Sequence, residues 1–180
     1  MFYVDPRLGP MRPDNLLYEA MSPKTRLIIN YYLNWRDEVH PNPVAHTLYR
    51  GFRSVVYGSP RDIEFVQVTV SFRTGRVTSF AFERDPSGRH DAPSPAHDLV
   101  AGERGSDEEH FRVTVNGRQH GTMPVSFRGD RICILVASWN HIHDFYTGEG
   151  DSIDDPPLEP LTDRLFKKYC MARRSRPPVA

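Results

Sequence analysis

Apolar and polar side chains alternate most regularly between residues 63 and 82. Val68 and Val70 are each followed by a single polar residue, and this period of two places apolar side chains on one face of a strand. Thr74-Gly75 interrupts the alternation with a turn signal, after which it resumes through Phe80 and Phe82. The pattern predicts a β-hairpin with one face packed against a core.

A second pattern, with a period near 3.6 residues, occurs on both sides of the hairpin. Ser22-Pro23 is a helix start signal, and Ile28, Tyr32 and Trp35 then fall on one face, which predicts an amphipathic helix over residues 23–39. A C-terminal helix is predicted from near Pro160. The fold class predicted is therefore α+β, with an N-terminal amphipathic helix, a β-rich mixed or antiparallel sheet in the middle and a C-terminal helix.

The remaining segments extend this picture. Asn116-Gly117 is the strongest short hairpin signal in the chain, and it predicts strands over residues 111–115 and 122–127. The apolar run 132–139 predicts a strand buried on both faces, and residues 47–52 and 53–57 are predicted to be short extended segments. We expect an extended arm over residues 1–22, a single domain over 23–172 and a basic tail over 173–180.

The charge composition limits the classes of partner. The chain has 180 residues and a formal net charge of zero, which argues against a general electrostatic field for nucleic acid. Nearly all its basic residues are arginines, which suit bidentate contacts to phosphate and carboxylate groups, although coding bias also explains them. Without a secretory signal or a membrane-spanning run, a cytoplasmic protein is expected, and the basic tail leaves a nuclear one open.

One cluster has metal-ligand residue types. His141 and His143 project to the same face if they lie on a strand, and Glu149 follows six residues later. Neither four closed ligands nor three with an open position can be named, so we expect a surface or satisfied histidine pair, no metal and no cofactor. The acidic run 107–110 is expected to be a solvated charge cluster.

The order of elements resembles the ribosome-inactivating proteins, the plant rRNA N-glycosidases. The unit Val68-Thr69-Val70-Ser71, returning through Phe80-Ala81-Phe82, is similar to their two-strand unit after an amphipathic helix. Phe127-Arg128-Gly129-Asp130-Arg131 resembles a later Phe-Gly-Gly-Asn-Tyr-like segment, and Pro157-Leu158-Glu159 resembles the start of a helix.

The resemblance implies a cleft around Thr78, Arg128, Gly129 and Arg131. Thr78 and Arg131 match the two tyrosines that stack on the target adenine in the family, so the stacking faces are missing and the catalytic set is incomplete. The expectation is an rRNA N-glycosidase-like domain that is inactive, with the ribosome or its rRNA as partner.

Two other functions remain open. A non-catalytic, β-rich interaction module would bind a protein partner; we expect no membrane partner, and the oligomeric state is not determined. Leu48-Tyr49-Arg50-Gly51, followed by Val70-Ser71-Phe72, resembles the motifs of arginine-type mono-ADP-ribosyltransferases, but no Glu-x-Glu follows.

Overall fold

A computed structural model describes residues 1–8, 11–38, 40–56, 58, 61–87, 96–105, 110–153 and 156–168. Of these described residues, 48% are in strands and 16% in helices, so the predicted α+β class with a helix at each end is wrong. The elements are β1 (Phe2–Val4), a 3₁₀ turn (Pro6–Leu8), β2 (Asn15–Met21), β3 (Arg26–Trp35), α1 (Pro43–Val56), β4 (Asp62–Ser71), β5 (Val77–Arg84), β6 (Asp98–Arg104), β7 (Phe111–Val115), β8 (Arg118–Met123), β9 (Phe127–Arg128), β10 (Arg131–Ile132), β11 (Ile134–Val136), β12 (His143–Phe145), β13 (Asp151–Ser152), β14 (Leu158–Pro160) and α2 (Asp163–Lys168).

One large sheet contains twelve of these strands. Its order is β13-β1-β11-β12-β5-β4-β3-β2-β14, and β6, β7 and β8 continue from β5 as a second branch. Most neighbours are antiparallel, whereas β1–β11, β12–β5 and β14–β2 are parallel. The largest core cluster lies on one face of β4, β5, β6 and β7, where Phe80, Phe82 and Phe111 meet Ile132 and Ile134.

The predicted helix over residues 23–39 is strand β3. β4 pairs with β3 along its whole length and β2 pairs with residues 28–34, so most of its backbone groups are satisfied on both sides. Asn30 and Asn34 occupy buried positions of this strand, where they bond Gln67 at 2.9 Å and Asn15 at 2.7 Å. These buried amides hide the period-two pattern and leave an apparent helical one.

The long helix lies where extended segments were predicted. In α1, Pro43 takes the first helical position and the Asn42 Oδ1 accepts the amide protons of Val44 and Ala45 at 3.0 and 3.1 Å. Asn42-Pro43 is therefore a helix start.

The C-terminal helix begins later than predicted. Residues 158–160 form β14, and within the described residues α2 covers Asp163–Lys168, with the Thr162 Oγ1 accepting the Leu165 amide proton at 3.3 Å. Leu161 and Leu165 pack beside the buried cluster around Tyr32 and Phe65.

Both hairpin predictions are confirmed. Strands β4 and β5 pair antiparallel around a turn at Gly75, where φ is +68°. Strands β7 and β8 pair around Asn116 and Gly117, which have φ of 50° and 74°, although β8 begins earlier than predicted. Both turns use the left-handed backbone that glycine and asparagine tolerate best.

The predicted N-terminal arm contributes β1 and β2 to the sheet, and the predicted basic tail lies outside the described residues. Neither α1 nor α2, the two α-helices of the described chain, has the length and apolar content needed to cross a membrane.

Candidate functional site

A small cleft lies at the tip of the β4–β5 hairpin. Its volume is about 220 Å³. Of the described residues, those that line it are Ser71, Arg73, Thr74, Arg76, Thr78, Arg104 and Gly105. Three of these are arginines and none of them is acidic. The cleft therefore combines positive charge with three side-chain hydroxyls.

The hairpin turn positions two of these arginines. The Gly75 N–H donates to the Ser71 carbonyl at 2.8 Å, and the Ser71 N–H donates to the Arg76 carbonyl at 3.0 Å. The Ser71 Oγ also accepts the Arg73 amide proton at 3.2 Å. Arg73 and Arg76 are thus held on the two sides of one tight turn, and both are exposed.

The third arginine reaches the cleft from the end of β6. The Arg104 Nε donates to the Val77 carbonyl at 2.7 Å, and its guanidinium carbon lies 4.8 Å from the Phe111 ring centroid and 5.3 Å from that of Phe127. Cation–π contact and the hydrogen bond fix this side chain before any ligand arrives.

The described lining residues have the chemistry of an anion-binding site. Guanidinium groups bind phosphate or carboxylate oxygens through charge-assisted hydrogen bonds and stay protonated at all physiological pH values. Serine and threonine hydroxyls add neutral donors.

Comparisons with known proteins assign no family. The sequence matches no protein-family model and no curated protein. Two solved structures are similar: NLPPya in complex with glucosamine, with a TM-score of 0.48, 9% identity and coverage of 97% of this chain and 74% of that chain, and NLPPya in complex with mannosamine, with a TM-score of 0.43, 12% identity and coverage of 96% and 69%. Likeness at this level has no bearing on the function of this chain.

Only one residue of the expected rRNA cleft lines this site. Thr78 is half-buried in it, and its Oγ1 donates to the Thr69 carbonyl at 3.3 Å. Arg128 and Arg131 instead pair with each other on β9 and β10, the separate two-stranded sheet, and Gly129 forms the turn between them with φ of +61°. The structure does not bring these three residues to the cleft lining.

The two candidate metal-ligand histidines are buried and have different surroundings. The His141 ring stacks on Trp35 with centroids 4.0 Å apart, and its Nδ1 lies 3.0 Å from the Asp62 Oδ2. His143 lies on β12 against Phe82, and neither ring nitrogen has a hydrogen-bond partner within the described chain. Glu149 is exposed at the other end of the predicted set.

Burial controls the charge of both histidines. It lowers the pKa of His141 despite the opposing effect of the Asp62 hydrogen bond. It lowers the pKa of His143 to about 3, with a further contribution from the charge of His141. Both rings are therefore neutral at pH 7, and the His141 Nδ1 carries the proton that Asp62 accepts.

Asp62 also belongs to a buried charge cluster beneath α1. Arg53 projects from the helix and forms ion pairs with Glu38 and, at 3.1 Å, with the Asp62 Oδ1; all three side chains are at most 6% exposed. The Arg53 Nη2 also donates to the Arg61 carbonyl at 2.8 Å. These contacts connect α1 to the ends of β3 and β4.

A different set of residues has the geometry of a metal site. The ligand atoms of Glu64, Glu83 and His97 lie within 4.8 Å of one another, and this is the one such set found in the described part of the chain. The His97 Nδ1 lies 3.1 Å from the Glu83 Oε2, so the imidazole already has a carboxylate partner. Two carboxylates and an imidazole could hold a zinc ion.

Sequence reasoning missed the arginine-lined cleft for a physical reason. Arg73 and Arg76 flank Thr74-Gly75, so two of the charges could have been assigned to one turn. Arg104 lies near them only because β6 pairs with β5. The sequence pattern does not predict which strand β6 pairs with.

The motif residues of the ADP-ribosyltransferase interpretation are separated between two sites. Arg50 lies on α1, where its Nε is 3.3 Å from the Asp37 Oδ2, while Ser71 lines the cleft.

Proposed function

We propose that this protein is a non-catalytic binding module that holds a phosphate group in the arginine-lined cleft. The observation that carries the proposal is the convergence of Arg73, Arg76 and Arg104 on one cleft. Among the described residues that line it, none is acidic. Three guanidinium groups exceed the charge of one phosphate, so they can balance it and donate to several of its oxygens at once.

The size of the cleft narrows the ligand class. A volume of about 220 Å³ lies below the range of roughly 300 to 1,000 Å³ that is typical for pockets enclosing a drug-sized molecule. The phosphate group itself, with a small substituent extending into solvent, fits this volume. A small phosphate monoester, free phosphate and the backbone of RNA all offer this group.

The rRNA N-glycosidase-like function stays a prediction. The helix over residues 23–39 on which the resemblance depended is β3, and Thr78 supplies a hydroxyl where the family has a stacking tyrosine. A phosphate site is compatible with the predicted rRNA partner, because the rRNA backbone presents phosphate groups.

Titration of the ¹⁵N-labelled protein, followed by NMR, tests the proposal. Glycerol phosphate, inorganic phosphate and a short single-stranded RNA are added separately at constant ionic strength, because surface electrostatics are strongly screened by salt. Amide signals of residues 71–78 and 104–105 should shift. Arg73→Gln combined with Arg76→Gln should weaken binding at least about a hundredfold, since hydrogen bonds to charged groups contribute about 1.5 to 3 kcal/mol each.

The matched control is Arg118→Gln, which removes an exposed arginine from β8 outside the cleft lining. It should leave binding unchanged. Tighter binding of RNA than of both small anions, lost in the double variant, identifies a nucleic-acid ligand. Equal weakening by the control, or shifts spread over all exposed arginines, would show that the protein has no specific phosphate site.

A further inference from the structure

The turn between β7 and β8 is tied to the start of β6 through Asn116. The Asn116 N–H donates to the Leu99 carbonyl at 2.9 Å, and the Asn116 Oδ1 accepts the Leu99 amide proton at 2.9 Å. The Asn116 Nδ2 donates to the Asp98 Oδ1 at 2.7 Å. The side chain thus continues the β6–β7 pairing beyond Val100 and Val115, and it needs an amide because one end accepts a proton and the other donates one.

The residue after Asn116 makes this side chain chemically labile. Asn116 is the one asparagine of the sequence that precedes a glycine. The backbone nitrogen of the following residue can attack the side-chain carbonyl carbon of an asparagine, and glycine has no Cβ to obstruct the attack. Both residues are exposed, and a Cβ built on Gly117 would meet no atom within 4 Å, so water reaches the turn.

We propose that Asn116 is a deamidation site that its contacts with β6 protect, and that its conversion to aspartate abolishes those contacts in one direction. In the first step the Gly117 nitrogen bonds to the Asn116 Cγ, the Cγ–Nδ2 bond breaks, and ammonia leaves with the Gly117 amide proton. Water then opens the cyclic imide. Opening at Cγ gives aspartate, and opening at the main-chain carbonyl gives isoaspartate, in which the backbone runs through the side chain.

The folded turn resists the first step. Ring closure joins Cγ to the Gly117 nitrogen, and a carboxamide that is bonded to Leu99 and Asp98 cannot make this change without losing those bonds. The folded chain therefore reacts through the fraction of molecules in which the contact with β6 is open. Because one of the two bonds is to a carboxylate, we expect protection of at least about tenfold.

The product does not restore the contact. In aspartate, an oxygen without a proton replaces Nδ2, which lies 2.7 Å from the Asp98 Oδ1. Two carboxylate groups at this separation repel each other. Deamidation thus turns an attractive contact between the β7–β8 turn and β6 into a repulsive one.

Peptide mapping by mass spectrometry tests the protection in the full chain, incubated near neutral pH. The folded wild type should deamidate at Asn116 at least about tenfold more slowly than the same chain in guanidinium chloride. Asp98→Ala removes the acceptor of the Nδ2 proton and should raise the rate in the folded protein severalfold. The matched control Asp98→Asn keeps an acceptor oxygen and should retain the protection. Far-UV circular dichroism establishes that each variant is folded.

Asn116→Asp reproduces the aspartate product and tests the loss of the contact. In urea denaturation at low salt, its equilibrium constant for unfolding should exceed that of the wild type about threefold or more. The difference should shrink as salt screens the two carboxylates. Adding Asp98→Asn to Asn116→Asp places a donor opposite an acceptor again and should return the stability to the wild-type value.

Three outcomes would overturn the proposal. An Asn116 that stays intact in the denatured chain is not a deamidation site. Equal rates in the folded and denatured wild type, or in folded Asp98→Ala and Asp98→Asn, would show that the contact with β6 gives no protection. An Asn116→Asp variant as stable as the wild type at every salt concentration would show that aspartate keeps the contact.

Discussion

Replacing Arg53 with methionine tests whether buried charge holds α1 on the sheet. Methionine keeps much of the side-chain length but leaves Glu38 and Asp62, which are 4% and 2% exposed, without their shared cation. Removing one partner of a buried ion pair costs about 3 to 5 kcal/mol, because the remaining charge stays desolvated. We expect the free energy of unfolding of Arg53→Met to fall by that amount at pH 7.

Urea denaturation measures this loss. With a slope of about 2 kcal/mol per molar urea, the midpoint should fall by about 1.5 to 2.5 M. Tryptophan fluorescence reports on the correct region, because Trp35 stacks on His141 at 4.0 Å and the Trp139 ring lies 6.0 Å from that of Tyr49 on α1. Far-UV circular dichroism follows the helix and the sheet together.

Arg50→Met is the matched control on the same helix. The Arg50 side chain is 55% exposed and its Nε lies 3.3 Å from the Asp37 Oδ2. Solvent screens such a pair, so its loss should cost less than about 1 kcal/mol. If Arg53→Met costs no more than Arg50→Met, then α1 is not anchored by the buried cluster and the reasoning is refuted.

Two further predictions concern the core. Gly102→Ala places a Cβ 2.3 Å from the Phe80 Cζ, so its free energy of unfolding should fall by about 1 to 3 kcal/mol in chemical denaturation. The control Gly51→Ala lies in open space on α1, and its free energy of unfolding should rise by up to about 1 kcal/mol. Equal effects of the two substitutions would contradict the packing of Gly102 against Phe80. His143 has a pKa of about 3 in the folded state and 6.5 in the unfolded state, so between these pH values the unfolded state binds one more proton. The free energy of unfolding should therefore fall as the pH drops below 6.5, by up to about 1.4 kcal/mol per pH unit. His143→Phe should flatten this pH dependence in urea midpoints measured from pH 7 to 4, and an unchanged slope would show that the imidazole does not resist protonation.

Local sequence explains the positions of two of the three arginines in the cleft, but not that of the third. The turn that carries Arg73 and Arg76 follows from Thr74-Gly75, because glycine adopts the required positive φ without steric cost. The position of Arg104 depends on the β5–β6 pairing and on contacts with Phe111 and Phe127. A two-arginine turn is visible in the sequence, but a three-arginine cleft is not.

The two histidines show the same division. Their i, i+2 spacing predicted a shared face on a strand, but His141 has a left-handed backbone with φ of 62° and precedes β12, so the strand rule does not apply to it. Its partner Asp62 comes from β4, 79 positions earlier. Residue type identified these side chains as chemically capable, and the tertiary contacts decided what surrounds them.

The sequence by itself determined the elements whose signals are local. Alternation with a central turn specified the β4–β5 hairpin, and Asn116-Gly117 specified the turn between β7 and β8, since both depend on backbone preferences of adjacent residues. Only the tertiary structure decided that residues 26–35 form a strand, because β2 and β4 supply its hydrogen bonds, and that α1 exposes its apolar side. There the burial of Arg53 between two carboxylates outweighs the ordinary rule that apolar faces turn inward.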